Sequence, residues 1–267
     1  IGITDKSMNY LDQIKANSGR YQIENAGINS QYSDYGAAKY GNQIVFATAR
    51  DTGSLSHRTH SWNNQYFTNL YTSELSEGAT LSKPKPFDDA VKSRFHEATP
   101  IFTKDGKTMY FSRNNFIKGK KGKSQDKTTL LKIYRAYAVD GQWTNVTELP
   151  FNSDQFSTAH PALSPDEKTL YFASNRPDSF GESDIYKVQI NEDGSFGTPV
   201  NLGNSINTIG RESFPSITDE NEMYFASDGQ PGLGGFDVFV SKINSDGTFT
   251  DVQNVGESVN SAKDDFA

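Results

Sequence analysis

The chain has 267 residues, a net charge of −7, no cysteine, and only 34% hydrophobic against 12% aromatic residues. Disulfides, thiol catalysis and thiolate metal sites are thereby excluded, no apolar run is long enough for a membrane-spanning helix, and the acidic balance argues against duplex nucleic acid as a partner. Abundant Phe and Tyr with 22 Gly and 10 Pro point away from helical bundles and disordered chains, toward many short strands.

Residues 4–17 (TDKSMNYLDQIKAN) set Met8, Leu11 and Ile14 three apart behind a Thr4 or Asp5 cap, which predicts a short helical lead-in within residues 1–20. Residues 21–30 match the last strand of the later repeats, with Asn29 aligning to Asn207 and Asn260, and are expected to form an outer strand closing the last blade. Its partner strands are expected beyond Ala267.

Four copies of one unit follow. "HEATPIFTKDGKTMYFSRN" from His96, "TAHPALSPDEKTLYFASNR" from Thr158 and "ESFPSITDENEMYFASDG" from Glu212 superpose Pro100, Pro161 and Pro215, and likewise Tyr110, Tyr171 and Tyr224. A weaker copy upstream puts Ala37 in the Pro slot and Val45 in the Tyr slot, with a hairpin shorter by two residues. Each copy continues into an alternating strand (69–73, 132–137, 184–190, 237–243), a turn at Glu77-Gly78, Asp140-Gly141, Asp193-Gly194 or Asp246-Gly247, and a weaker fourth strand. Four-stranded units of this period are the signature of β-propeller blades. The predicted fold is all-β, with blades at 31–92, 93–157, 158–211 and 212–262, and 263–267 opening another. Because four blades would make an unusually small ring, a domain of about six is expected.

"HPALSPDEKTLYFASNRPDSFGESDIYKV" (160–188) resembles the Pro-Asp variant of the WD40-like repeat, the TolB-like propeller type. "NSQYSDYGAAKYGNQIVFATAR" (29–50), "NLGNSINT" (201–208) and "MYFASDGQPGLGGFDVFVS" (223–241) resemble the propeller of Bacteroidetes OmpA-family envelope proteins, a group that includes PorE. The resemblance implies a periplasmic, outer-membrane-associated domain tied to type IX secretion or gliding. In that family a helical repeat region precedes the propeller, and a peptidoglycan-binding domain follows it. The OmpA-like end is not in this sequence, so cell-wall binding is not carried over to these residues.

The position three before the Pro slot reads Asp34, Glu97, Thr158, Glu212 and, in the unfinished unit, Asp265. If the first strands line a channel, these acids form a rim that attracts a cation or a basic segment. Alternatively, each accepts backbone N–H groups where its strand begins. Asp184 and Asp237, after Gly-containing loops, read as loop ligands or as register pins. "NEDGSFG" and "NSDGTFT" lack the Glu that an EF-hand needs at position twelve, where Leu202 and Val255 stand, and are hairpin turns. The glycines at 232–235 precede a strand and no Lys, unlike a phosphate loop. His57 and His60 share a polar insertion with no carboxylate close by, and no Ser elbow appears. No catalytic residue, metal site or cofactor is assigned.

Two insertions differ between copies. One carries Trp62, Tyr66 and Phe67, which read as interface anchors or as rings folded back on the blade. The other, "NFIKGKKGKSQDK" (115–127), carries Lys118, Lys120, Lys121, Lys123 and Lys127 and reads as an anion-facing or solvated loop. The expectation is a non-enzymatic periplasmic scaffold that binds a protein of the outer membrane or periplasm through these loops, with no nucleic acid and no membrane span. A glycan- or peptidoglycan-fragment module and a propeller hydrolase or lyase are the alternatives.

Overall fold

Short alternating segments closed by tight turns cannot satisfy their backbone alone, so they pair with their neighbours. In the computed structural model, which describes residues 5–50, 59, 64–93, 95–117, 120–121, 124–125 and 128–266, they form four antiparallel four-stranded blades of a β-propeller. Helix α1 (Asp5–Asn17) precedes them. Blade 1 holds β1 (Asp34–Tyr40), β2 (Gln43–Thr48), β3 (Asn69–Glu74) and β4 (Lys85–Pro86). Blade 2 holds β5 (Glu97–Phe102) and β6 (Thr108–Asn114), then, after a small hairpin of β7 (Phe116–Ile117) and β8 (Lys120–Lys121), β9 (Leu131–Val139) and β10 (Gln142–Glu148). Blade 3 is β11 (Thr158–Leu163), β12 (Thr169–Ser174), β13 (Asp184–Gln189) and β14 (Val200–Asn201). Blade 4 is β15 (Glu212–Ile217), β16 (Glu222–Ser227), β17 (Asp237–Lys242) and β18 (Gln253–Asn254). Within each blade the strands lie side by side in chain order.

The chain divides into two units, residues 25–161 and residues 1–24 with 162–267, the boundary falling inside β11. In the first unit, Val45, Leu70, Met109, Phe111 and Tyr134 form a buried core between blades 1 and 2, onto which Tyr40, Phe87 and Phe102 pack with Trp143. Tyr40 stacks on Phe102 at 4.5 Å, so the aromatic surplus of the composition is the core itself. In the second unit, Ile185, Ile206, Met223, Phe225 and Phe239 do the same between blades 3 and 4. Directly paired rings recur across the second and third strands: Phe46 with Tyr71, Phe111 with Tyr134, Phe172 with Tyr186 and Phe225 with Phe239. Arg50, Arg113 and Arg176 lie over the first, second and third of these pairs respectively, each within 5.6 Å of both rings of its pair.

Two expectations need correction, in the turns and in α1. Residues 21–30, whose partner strands are expected beyond Ala267, pair with none of the described residues. Tyr21 there meets Tyr224 instead, hydroxyl to hydroxyl at 3.1 Å. Asp140-Gly141 does make a tight hairpin, both residues having positive φ, whereas Asp193-Gly194 lies in a wider loop in which Asp193 accepts the Ser195 N–H at 2.9 Å. In α1, Ile14 is buried but Leu11 is 46% exposed, so the expected apolar stripe is narrower than its spacing suggests.

Candidate functional site

The residues singled out by the repeat gather at one end of each blade, where a corner leads into the first strand. Each acid accepts the N–H of the residue four before it. Ser30 N donates to Asp34 at 2.5 Å and Ser93 N to Glu97 at 3.0 Å. Thr208 N donates to Glu212 at 2.8 Å and Ser261 N to Asp265 at 2.6 Å. Arg50 pairs with Asp34 at 3.0 Å and Arg113 with Glu97 at 3.2 Å, whereas Glu212 takes its remaining bonds from the Thr208 and Ser227 hydroxyls. Burial would raise Asp34, but hydrogen bonds from Thr48, Ser30 and Arg50 outweigh it and hold the carboxyl below its usual range. Glu97 is the reverse case: burial pushes it up to about 7 despite Arg113 and Ser93. Burial likewise raises Glu212, with the Asp184 charge adding to it, and raises Asp237, with Asp265 adding.

Blade 3 inverts this scheme. Its slot holds Thr158, and the carboxylate stands four residues earlier as Asp154. Asp154 accepts from Lys132 Nζ and Asn115 Nδ2, both at 2.7 Å, and Glu148 also holds Lys132 at 2.7 Å. Lys132 occupies the position that Asp184 and Asp237 fill in blades 3 and 4, facing Arg113 as they face Ser174 and Ser227. Asp184 accepts the Phe180 and Gly181 N–H groups, and Asp237 those of Leu233 and Gly234. These two carboxylates therefore organise their own loops.

An asparagine clamp, for which the sequence aligned Asn207 and Asn260 without a role, completes the corners that end blades 2, 3 and 4. Asn207 accepts the Ile185 N–H at 2.8 Å and donates to the Ile185 carbonyl at 3.0 Å. Asn260 grips Val238 (2.8 and 2.9 Å) and Asn152 grips Ile133 (3.1 and 2.7 Å) in the same two-bond manner. One amide thus does for the third strand what a neighbouring strand would.

The residue before the Pro slot also repeats, with a left-handed backbone: Gly36, Thr99, His160 and Phe214 have φ of 63°, 46°, 55° and 50°. A β-bulge in β1, β5 and β15 accompanies it. In the first unit three of these positions connect. A Cβ on Gly36 would lie 2.9 Å from Thr99 Cγ2, Thr99 Oγ1 meets Ser112 Oγ at 2.8 Å, and Ser112 Oγ accepts the His160 N–H at 2.8 Å. Burial lowers the His160 imidazole to about 3, so it is neutral at physiological pH. Pro after such a residue was visible in the sequence; the bulge was not, since a residue before Pro ordinarily favours extended backbone.

The insertions are placed in part. Tyr66 packs edge-on to Tyr32 at 6.0 Å, and Phe67 lies against Phe95 and His96 at 5.7 and 4.8 Å. Both rings fold back on their own unit. Lys120 and Lys121 form β8; Trp62, Lys118, Lys123 and Lys127, with His57 and His60, lie outside the described residues. Among the described residues no group of three His, Asp or Glu side chains is arranged to hold a metal ion, and no helix is long and apolar enough to cross a membrane.

Comparison with known proteins agrees with the all-β propeller class. No protein-family model matches the sequence, and no curated protein matches it. An α-L-arabinofuranosidase from Lactobacillus brevis shares the fold, with a TM-score of 0.50 and 12% identity over 80% of this chain and 69% of that one. A protein assigned as TolB from Agrobacterium tumefaciens has a TM-score of 0.46 and 18% identity over 84% of this chain and 66% of that one. A puromycin hydrolase has a TM-score of 0.46 and 13% identity; the match covers 85% of this chain but only 40% of the hydrolase.

Proposed function

We propose that this chain is a non-enzymatic interaction propeller of the bacterial periplasm, of the kind carried by OmpA-family envelope proteins, and that it holds a protein of the outer membrane or secretion machinery through loops that differ between its blades. The observation that carries this reading is a division of labour. The recurring carboxylates and asparagines are committed to backbone N–H groups and to Arg or Lys of their own blades, while variation is concentrated between the second and third strands. There, residues 49–68 and 115–130 far exceed the corresponding 175–183 and 228–236. Invariant blades with variable loops suit a rigid platform. Crosslinking in native envelope followed by affinity recovery tests it: deleting Lys118–Lys127 should reduce recovery of the bound protein, and undiminished recovery would count against that loop as the interface. The fold shared with an arabinofuranosidase raises a hydrolytic reading, and release of arabinose from an arabinofuranoside by this chain would displace the scaffold.

A further inference from the structure

Blade 1 ends in a corner built to the same length as those of blades 3 and 4, but without their amides. Pro86, Asn201 and Asn254 take the same place on their outer strands, opposite Tyr71, Tyr186 and Phe239. Each stands eleven residues before its acid, Glu97, Glu212 or Asp265. The next bonds also match. Phe87 N donates to the Leu70 carbonyl at 3.0 Å, as Leu202 N does to Ile185 at 3.1 Å and Val255 N to Val238 at 3.2 Å. Ser93 N donates to Glu97 as Thr208 N does to Glu212 and Ser261 N to Asp265. Five residues before the acid, where Asn207 and Asn260 clamp their strands, blade 1 has the exposed Lys92.

Two amides are thereby exchanged for Pro86 and Lys92. In blade 3, Asn207 Oδ1 accepts the Ile185 N–H, Asn207 Nδ2 donates to the Ile185 carbonyl and to Asn201 Oδ1, and Asn201 Nδ2 reaches Asp184. In blade 1 the Leu70 N–H lies on the side of its carbonyl, beyond the two pairs that β4 makes, and donates to no described residue. Asn69, at the position of Asp184, has a buried Oδ1 that accepts no hydrogen bond, and Glu97, 1% exposed, has an Oε2 that accepts none. Asn69, Leu70 and Glu97 line one pocket with Phe87, Val91 and Lys92, and its enclosed part has room for about one water-sized group. We infer that this pocket binds a primary carboxamide, the end of an Asn or Gln side chain presented by a protein docked on blade 1. The carbonyl takes the Leu70 N–H, and the amino group gives its two hydrogens to Asn69 Oδ1 and Glu97 Oε2, much as Asn207 serves blade 3 from within. An ammonium has no acceptor for Leu70 and would sit beside Arg113, which pairs with Glu97; a carboxylate has no hydrogen for the two oxygens. The docked protein rests on the platform reading; the pocket does not, because none of its residues lies in the loop of Lys118–Lys127.

The test uses the full chain, isotope-labelled at the leucine amides, and propionamide as the probe in a solution NMR titration. The Leu70 resonance should move saturably, whereas N,N-dimethylpropionamide, which has lost both donated hydrogens, should bind about tenfold or more weakly. Lys92→Asn supplies the amide from within the chain and should abolish the Leu70 response. Lys92→Ala leaves the pocket open and should keep the affinity within about twofold. A shift that never saturates, or an equal response to the dimethyl amide, leaves an adventitious additive only and overturns the inference. So does a folded Lys92→Asn chain that binds propionamide like the parent. Should that variant not fold, the comparison of the two amides on the parent chain decides alone.

Discussion

Glu97 is 1% exposed and touches both Ser93 N–H and Arg113, yet its carboxyl titrates at about 7 because burial outweighs those partners. Its ordinary value is 4.5, so the folded protein binds this proton more tightly than the unfolded chain does. The stability it contributes is complete below that ordinary value and is lost as pH rises through 7, by an amount on the order of 3 kcal/mol. Glu97→Gln should therefore flatten the pH dependence of the denaturant midpoint between pH 4.5 and 7, whatever it does to stability itself. An unchanged slope would place the titration elsewhere. Asn207 offers a second test at this scale. Asn207→Ala strands the buried Ile185 N–H, while the Ile185 carbonyl keeps the Leu202 N–H at 3.1 Å, and should cost about 1–3 kcal/mol in chemical denaturation. The recurring acids were legible in the sequence, because one residue type returned at a fixed offset from Pro100 and Pro215. Asn152 was not, because the loop from Glu148 to Asn152 is shorter than that from Asn201 to Asn207 and carries Pro150 where the others have Gly.

At the level of the element, the first strands show what local pattern leaves unsaid. Their apolar spacing announced strands, and strands are present at β1, β5, β11 and β15. The bulge and left-handed residue within them depend on what the neighbouring strand presses against the backbone. Gly36 is the clearest instance. Its φ of 63° disfavours any side chain, and a Cβ there would lie 2.9 Å from Thr99 Cγ2 and 3.1 Å from Thr99 Cα. Gly36→Ala should lower stability by about 2 kcal/mol or more, seen as a reduced thermal midpoint. Alanine tolerated without loss would mean that β1 and β5 part more readily than their packing indicates. The outer strands were the weakest elements in the sequence, and three of them, β4, β14 and β18, are two residues long. The amide clamp supplements such short strands in blades 3 and 4: beside the two residues that each outer strand pairs, a side chain bonds one more, Ile185 or Val238.

At the scale of the molecule, the repeat made the architecture legible, since four copies of one pattern have one economical solution. The insertions stayed opaque for the opposite reason: a segment that occurs once has no second copy to align with. Tyr66 and Phe67 look like exposed anchors in the sequence and pack against Tyr32, Phe95 and His96 in the fold. The lysine loop leaves β6 and rejoins β9, whose pairing runs from Thr108–Tyr137 to Asn114–Leu131 without it. Deleting Lys118–Lys127 should therefore leave the unfolding free energy within about 0.5 kcal/mol of the parent in chemical denaturation; a larger loss would give the loop a structural role. The clamps also bear on how such a chain can be recombined. Ile133 is gripped by Asn152, past the end of β10, and Ile185 by Asn207, past the end of β14. The heritable module is thus offset from the visible sheet. A crossover placed at the last residue of an outer strand would separate a blade from the amide that secures it, whereas one placed after Asp154 or Thr208 would transfer the blade and its fastening together.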